Sequence, residues 1–225
     1  MSIKENLDAL RKRIENAATR ADRDPDEVTI VAVTKTVPVA RIEEAINCGI
    51  RIIGENRVQE ASMKFAAIGD RVDWHMVGHL QTNKARKALE IFSMIQSLDS
   101  PKLAQEIDKR AAKSVDCLIE VNTSKEASKF GLDAAGVFDF YASIRNIRKI
   151  NVLGLMTIGP GWAVQNPEAS RDCFRTLREL RDELSQEYDH PFPLLSMGMT
   201  SDFEVAIEEG SNMIRIGTAI FGARE

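Results

Sequence analysis

Apolar residues at Ile3, Leu7, Leu10, Ile14 and Ala17/Ala18 recur at three- and four-residue steps among charged ones, which predicts an amphipathic first helix. The next pattern differs in kind. From Val28 to Thr34 the chain is almost continuously apolar and β-branched, as expected of a parallel strand covered on both faces. Helical spacing then returns through Val39, Ile42 and Ile46, with Pro38 suited to a first turn and Gly49 placed where a helix stops.

This strand-then-helix unit repeats. Further strands are predicted at Ile50–Gly54, Trp74–Gly78, Met94–Leu98, Val115–Val121, Val152–Ile158, Leu194–Met197 and Met213–Ile216. Helical segments fall between them, roughly over Asn56–Ile68, Asn83–Ile91, Pro101–Lys113, Ala134–Asn146, Pro167–Glu187 and Ser201–Glu209. About eight alternating units is the number that closes a parallel barrel, so the expected fold is an α/β (β/α)8 barrel with an extra N-terminal helix. An open doubly wound sheet is the runner-up. It would usually show a glycine-rich turn after the first strand, where this chain has Thr34-Lys35-Thr36.

Composition narrows the picture. The 225 residues are 44% hydrophobic and 28% charged, and no linker or low-complexity tract interrupts the series, so residues 1–225 are expected to form one domain. A formal net charge of −4 with interspersed signs offers no broad basic face to a nucleic-acid backbone. Cys48, Cys117 and Cys173 show neither C-x-x-C nor zinc-ligand spacing and are expected to be reduced, buried thiols. The first residues lack the apolar core of a secretory signal, and no apolar run approaches the ~18 residues of a membrane span. A cytoplasmic protein without membrane contact is expected.

In a barrel of this kind reactive side chains belong at the carboxyl ends of strands. Lys35 ends the most apolar strand, where an ammonium beside low-dielectric packing is expected to have a lowered pKa and to become a usable amine nucleophile. The bland alternative is a lysine whose stem covers an apolar edge. Gly217 and Thr218 follow the last strand, and Ser196, Met197, Gly198, Met199, Thr200, Ser201 and Asp202 lead into a helix. Two such adjacent loops could share one phosphate, against the alternative of tight turns with no ligand. Arg215 precedes Gly217 by two residues and so shares its face, pointing into the barrel. Its partner there is either a pyridine nitrogen, which an arginine would leave unprotonated, or a core acid such as Glu55.

His75 and His79 have a metal-like spacing, but on a strand at ~3.3 Å per residue they start ~13 Å apart, and no metal is assigned. No G-x-S-x-G elbow supports serine-hydrolase chemistry.

The segments Ala32–Lys35, Gly54-Glu55-Asn56-Arg57-Val58-Gln59-Glu60, Trp74-His75 and Gly78–Lys84 closely resemble those of the pyridoxal phosphate homeostasis proteins. The resemblance extends through Gly154–Thr157, Leu195–Met199 and Arg215–Gly222, and so covers essentially the whole chain. It implies the barrel of the alanine racemase N-terminal domain and pyridoxal 5′-phosphate as cofactor. On the same grounds Lys35 would carry it as a Schiff base, Arg215 would face the ring nitrogen, Gly217 and Thr218 would contact phosphate, and Ser196 and Asn56 would line the pocket. The family usually has serine directly after Ser-Met-Gly-Met, where this chain has Thr200 and then Ser201, so either hydroxyl could serve the phosphate.

Racemisation requires an acid/base group on each face of the cofactor, one of which the racemases take from an additional C-terminal domain. This chain reads to Glu225 without one, and Tyr141 and Tyr188 fall in predicted outer helices. The expectation is a monomeric cofactor carrier acting in vitamin B6 homeostasis and passing pyridoxal phosphate to apo-enzymes. The alternatives are a weak racemase or lyase acting on an amino acid, or a pyridoxal-free barrel with an aldolase-type lysine acting on a sugar phosphate.

Overall fold

The computed structural model describes residues 2–223. Its eight strands are β1 (Thr29–Val33), β2 (Ile52–Glu55), β3 (Asp73–Met76), β4 (Met94–Leu98), β5 (Val115–Glu120), β6 (Ile150–Met156), β7 (Leu194–Ser196) and β8 (Met213–Ile216). All are parallel and paired in chain order, and β8 returns to β1 through Thr29↔Met213 to Ala32↔Ile216, which closes the barrel. The α-helices are α1 (Ile3–Arg20), α2 (Val39–Asn47), α3 (Val58–Ile68), α4 (Ala85–Ala88), α5 (Pro101–Arg110), α6 (Val137–Ile144), α7 (Arg171–Tyr188), α8 (Phe203–Glu208) and α9 (Thr218–Phe221).

The extra N-terminal helix has a structural task. The helix after β8 is a single turn, too short to cover the outer face of the β8–β1 seam. Leu7, Leu10, Ile14 and Ala17 of α1 cover it instead, packing with Ala32, Ile214 and Ile216. Ser2 starts α1 with a reciprocal capping box to Glu5.

Several predicted boundaries move for local reasons. Helix α3 begins at Val58 because Arg57 is still extended, and the stretch predicted from Asn83 is a 3-10 turn over Thr82–Lys84 followed by the short α4. Helix α7 starts at Arg171, after two 3-10 segments over Gly161–Gln165 and Pro167–Ser170. Gly154 has backbone against backbone: a Cβ there would overlap the Leu194 carbonyl of β7. The expectation of three buried thiols is corrected, because Cys48 at the end of α2 and Cys173 on α7 are only half-buried and Cys117, on β5, alone is fully enclosed.

Because successive strand residues alternate faces, the barrel interior can be read as pairs two residues apart. An inner apolar plug is formed by Val31, Val77, Met94, Leu118, Met156 and Met213. One step further along β4, β5 and β8, toward the carboxyl mouth, the same inward series continues with the buried polar residues Gln96, Glu120 and Arg215. The barrel is therefore sealed at its centre and polar at its mouth.

Candidate cofactor site at the barrel mouth

Strand β1 ends at Val33, and Lys35 lies in the turn beyond it rather than in the strand. That turn is strongly held. Thr34 donates from its backbone N–H to the Gly54 carbonyl at 3.0 Å and from its hydroxyl to Glu55 Oε1 at 2.6 Å. Lys64 of α3 donates from Nζ to the Thr34 carbonyl at 2.6 Å, to Glu55 Oε1 at 2.6 Å and to Glu60 Oε1 at 2.7 Å. Glu60 Oε1 in turn accepts the Thr36 N–H at 2.6 Å. Thr36 has φ +64°, a left-handed conformation that a β-branched residue adopts only when its surroundings impose it. Lys35, half-buried, is thus flanked by two threonines anchored to one buried ion cluster. Burial raises the Glu55 pKa above the ordinary carboxylate range, an effect that Lys64 and Thr34 only partly offset. Burial also acts against the Glu60 carboxylate, but hydrogen bonds from Lys64 and Thr36 outweigh it and hold its pKa low.

On the adjacent strand Arg215 pairs in register with Val31, and Gly217 abuts Val33, whose carbonyl oxygen a Cβ on Gly217 would approach to 3.3 Å. Arg215 donates from Nη1 to Ser196 Oγ and from Nη2 to the Thr157 carbonyl, both at 2.6 Å. Ser196 donates in turn from its own hydroxyl to Gln96 Oε1 at 2.6 Å, and Gln96 Nε2 donates to His75 Nδ1 at 2.8 Å. Arginine can only donate, so the whole chain runs one way and ends on an unprotonated Nδ1 of His75. Burial pushes the His75 pKa down to about 4, consistent with a neutral ring. Burial also lowers Arg215, to about 10, with Glu120 and Asp202 opposing the shift, so the guanidinium stays charged at neutral pH. The expected alternative partner for Arg215, Glu55, is committed to Lys64 on the outside of β2.

The loops after β7 and β8 meet through Thr200, whose Oγ1 accepts the Ala219 N–H in the first turn of α9 at 3.3 Å. Asp202 braces the β7 loop by accepting the Met199 N–H at 2.7 Å and the Ser170 hydroxyl at 2.9 Å. Gly198 turns this loop with φ +94°, where a Cβ would meet that of Ala206 at 2.6 Å.

On the β2–β5 side the mouth opens into a cavity of about 850 Å³, bordered by Asn56, Arg57, Lys84, Glu120, Lys129 and Phe130 among others. Asn56 Oδ1 and Glu120 Oε2 are buried there without a hydrogen-bond partner. Burial, reinforced by the charge of Asp99 and opposed by Arg215, pushes the Glu120 pKa up to about 7. His79 pairs with Asp99 at 2.9 Å and stacks on Phe130.

Of the sequence-predicted residues, Ser196 and Arg215 touch directly, Gly217 and Thr218 adjoin them beside Thr200, and Lys35 lies past the neighbouring strand end. Asn56 stands across the mouth in the cavity wall. Sequence reasoning missed Gln96, Thr157, Lys64, Glu60 and Glu120. The signal for Gln96 and Glu120 was available, since each follows an inward apolar residue by two positions near the end of a strand. Tyr141 and Tyr188 pack edge-to-face on each other in α6 and α7, as the outer-helix reading expected.

A closed parallel barrel with a lysine just beyond β1 and an inward arginine on β8 is a barrel of the alanine racemase N-terminal type, and the model of that domain family matches residues 6–225. An alanine racemase from Clostridium difficile shares the fold with TM-score 0.75 at 13% identity, over 99% of this chain and 56% of that one. Nearer relatives are the pyridoxal phosphate homeostasis proteins of Aquifex aeolicus, 45% identical over 229 residues and the full length of both chains, and of Escherichia coli, 38% identical over 99% of this chain and 97% of that one. PipY of Synechococcus elongatus, solved with pyridoxal phosphate bound, superposes with TM-score 0.85 at 35% identity over 98% of this chain and all of its own. This chain belongs to the pyridoxal phosphate homeostasis protein family.

Proposed function

We propose that this chain binds pyridoxal 5′-phosphate as a Schiff base on Lys35 and serves vitamin B6 homeostasis in the cytoplasm as a single-domain, monomeric carrier that supplies apo-enzymes. The observation that carries the reading is the register of β1 against β8, which sets the turn bearing Lys35 beside Arg215 and Gly217. The donor set fits the cofactor. Arg215 has five N–H groups and commits two to Ser196 and Thr157, which leaves donors for a ring nitrogen. Gly217 keeps the β8 mouth clear of a side chain, and Thr200 ties the two loops whose Thr218 and backbone amides would receive the phosphate. Thr200 rather than Ser201 is the assigned hydroxyl, because it is the one bonded to the β8 loop. The buried, unpartnered Asn56 Oδ1 would accept a donor from the cofactor or its water.

When bound, pyridoxal phosphate supplies an aldehyde that condenses with amines and a ring that withdraws electrons. Arg215 would orient that ring without giving it a proton, which keeps it a weak electron sink. The tyrosines lie outside the barrel, so neither offers the second acid/base group that racemisation needs. One observation favours the alternative of a weak racemase or lyase: Glu120, an acid at the mouth with a pKa near neutrality.

The test is a visible spectrum of the purified protein before and after borohydride reduction, with peptide mass mapping and a Lys35→Ala control. A yellow band that reduces onto Lys35 is expected. No band after incubation with excess cofactor overturns the reading. Exchange of amino-acid α-hydrogen in heavy water above the rate of free cofactor, lost in Glu120→Gln, would establish the alternative.

A further inference from the structure

Residues 122–131, which follow β5, form a loop with a pinched neck. The Asn122 N–H donates to the Leu132 carbonyl and the Leu132 N–H to the Glu120 carbonyl, both at 2.8 Å, so the two ends of the loop lie side by side. Gly131 makes that closure possible. Its φ is +105°, and a Cβ there would lie 2.9 Å from the Asn122 nitrogen and 3.1 Å from the Glu120 carbonyl oxygen.

Beyond the neck the loop is held unequally on its two sides. Toward β6, Lys129 Nζ donates to the Gly159 carbonyl at 2.6 Å and pairs with Glu126 at 2.8 Å, and Glu126 Oε1 accepts the Gly161 N–H at 3.1 Å. Toward β3, the hydrogen-bonded and ring contacts among the described residues reduce to one. Phe130 lies flat on His79, with ring centroids 4.1 Å apart and planes inclined by 10°. Asp99 fixes His79 at 2.9 Å, whereas Phe130 is 58% exposed. Strand β4 stands between β3 and β5, so this stack carries the loop past one strand end. Asn122, Ser128, Lys129, Phe130 and His79 all border the mouth cavity of about 850 Å³.

The difference in tethering decides which side moves. Release toward β6 breaks an ion pair and two backbone hydrogen bonds together, while an aromatic pair favours contact by a factor of only about two to ten. The β3 side therefore opens far more often, and the backbone change falls on Gly131, the neighbour of Phe130. We propose that residues 122–131 gate the mouth cavity, with the Phe130–His79 stack as latch and Gly131 as hinge, so that a ligand enters and leaves when the stack is broken. That pyridoxal 5′-phosphate is the molecule that passes rests on reading the mouth as its site; the latch rests on the loop contacts alone. Such a gate sets rates and leaves affinity unchanged, because a ligand with no preference between the two loop states shifts no equilibrium.

Two measurements test the proposal. The first needs no ligand: relaxation-dispersion NMR of the backbone amides in cofactor-free protein, since lid opening belongs to the microsecond-to-second range. Exchange is expected at residues 128–131. Phe130→Ala removes the latch and is expected to abolish that exchange and to move the His79 ring-proton signals, and Phe130→Tyr, which keeps a ring, to restore both. No exchange at 128–131 in the parent, or exchange and His79 signals unaltered by Phe130→Ala, would overturn it. The second is stopped-flow binding of pyridoxamine 5′-phosphate, which lacks the aldehyde and so reports passage without a bond to Lys35. Phe130→Ala and His79→Ala should each raise association and dissociation rates by the same factor, about two to ten, with the double variant no faster than either. Unchanged rates in Phe130→Ala, or a change confined to dissociation, would also overturn it. A parent that binds no pyridoxamine phosphate, but whose loop exchange is present and lost in Phe130→Ala, would sink the cofactor reading and uphold the latch.

Discussion

Lys64 Nζ lies 2.6 Å from the backbone carbonyl oxygen of Thr34, so a lysine buried in α3 holds the last residue before Lys35 in place. The same ammonium pairs with both Glu55 and Glu60, and Glu60 holds Thr36 on the other side. The reactive lysine proposed for this chain therefore stands on a turn whose geometry depends on a second, buried lysine.

Removing that second lysine should be costly. Lys64→Met leaves two carboxylates without their cation, and about 3–5 kcal/mol of stability is expected to be lost. Urea denaturation measures it. Glu60→Gln, a milder change, should retain the fold and slow fixation of pyridoxal phosphate onto Lys35, because Thr36 loses a charged acceptor.

Ser196 is both acceptor and donor in the chain from Arg215 to His75. Ser196→Ala strands a guanidinium N–H and the Gln96 carbonyl oxygen, at an expected cost of about 1–3 kcal/mol. The substitution should also loosen Arg215, so that cofactor affinity falls together with thermal stability; spectroscopic titration with pyridoxal phosphate checks this. A variant that lost stability but bound cofactor unchanged would remove Arg215 positioning from the role of this chain.

Two buried groups inside the barrel impose opposite pH dependences. The Glu120 pKa is raised to about 7, so between the ordinary value of 4.5 and 7 the folded protein holds more protons than the unfolded one, and stability falls as pH rises through that window. The His75 pKa is lowered to about 4 from 6.5, so there the unfolded protein holds more protons, and stability falls as pH drops through that window. Each contributes at most about 3 kcal/mol. Thermal unfolding of Glu120→Gln against the parent should show the variant gaining relative stability from pH ~5 to ~8. A difference that does not change with pH would mean that Glu120 is ionised throughout.

The barrel was legible because its signals are local: a near-continuous β-branched strand, amphipathic helices, and turns at regular intervals, each set by periodicity along a few residues. That Lys35, Ser196, Arg215, Gly217 and Thr218 stand at strand ends was legible because strand ends and two-residue alternation are also one-dimensional properties. Tertiary closure decided the rest. That Arg215 bonds to Ser196 and Thr157 rather than Glu55 depends on which face each strand turns inward once β8 has met β1. Lys64 reaches Thr34 across 30 residues, and Gln96 joins Ser196 across 100, distances over which a sequence carries no periodic signal. The Glu120 carboxyl becomes a near-neutral acid only because folding removes its water and leaves it facing Asp99 and an arginine already engaged elsewhere. Periodicity chose the elements; desolvation and the ring of strands chose the partners.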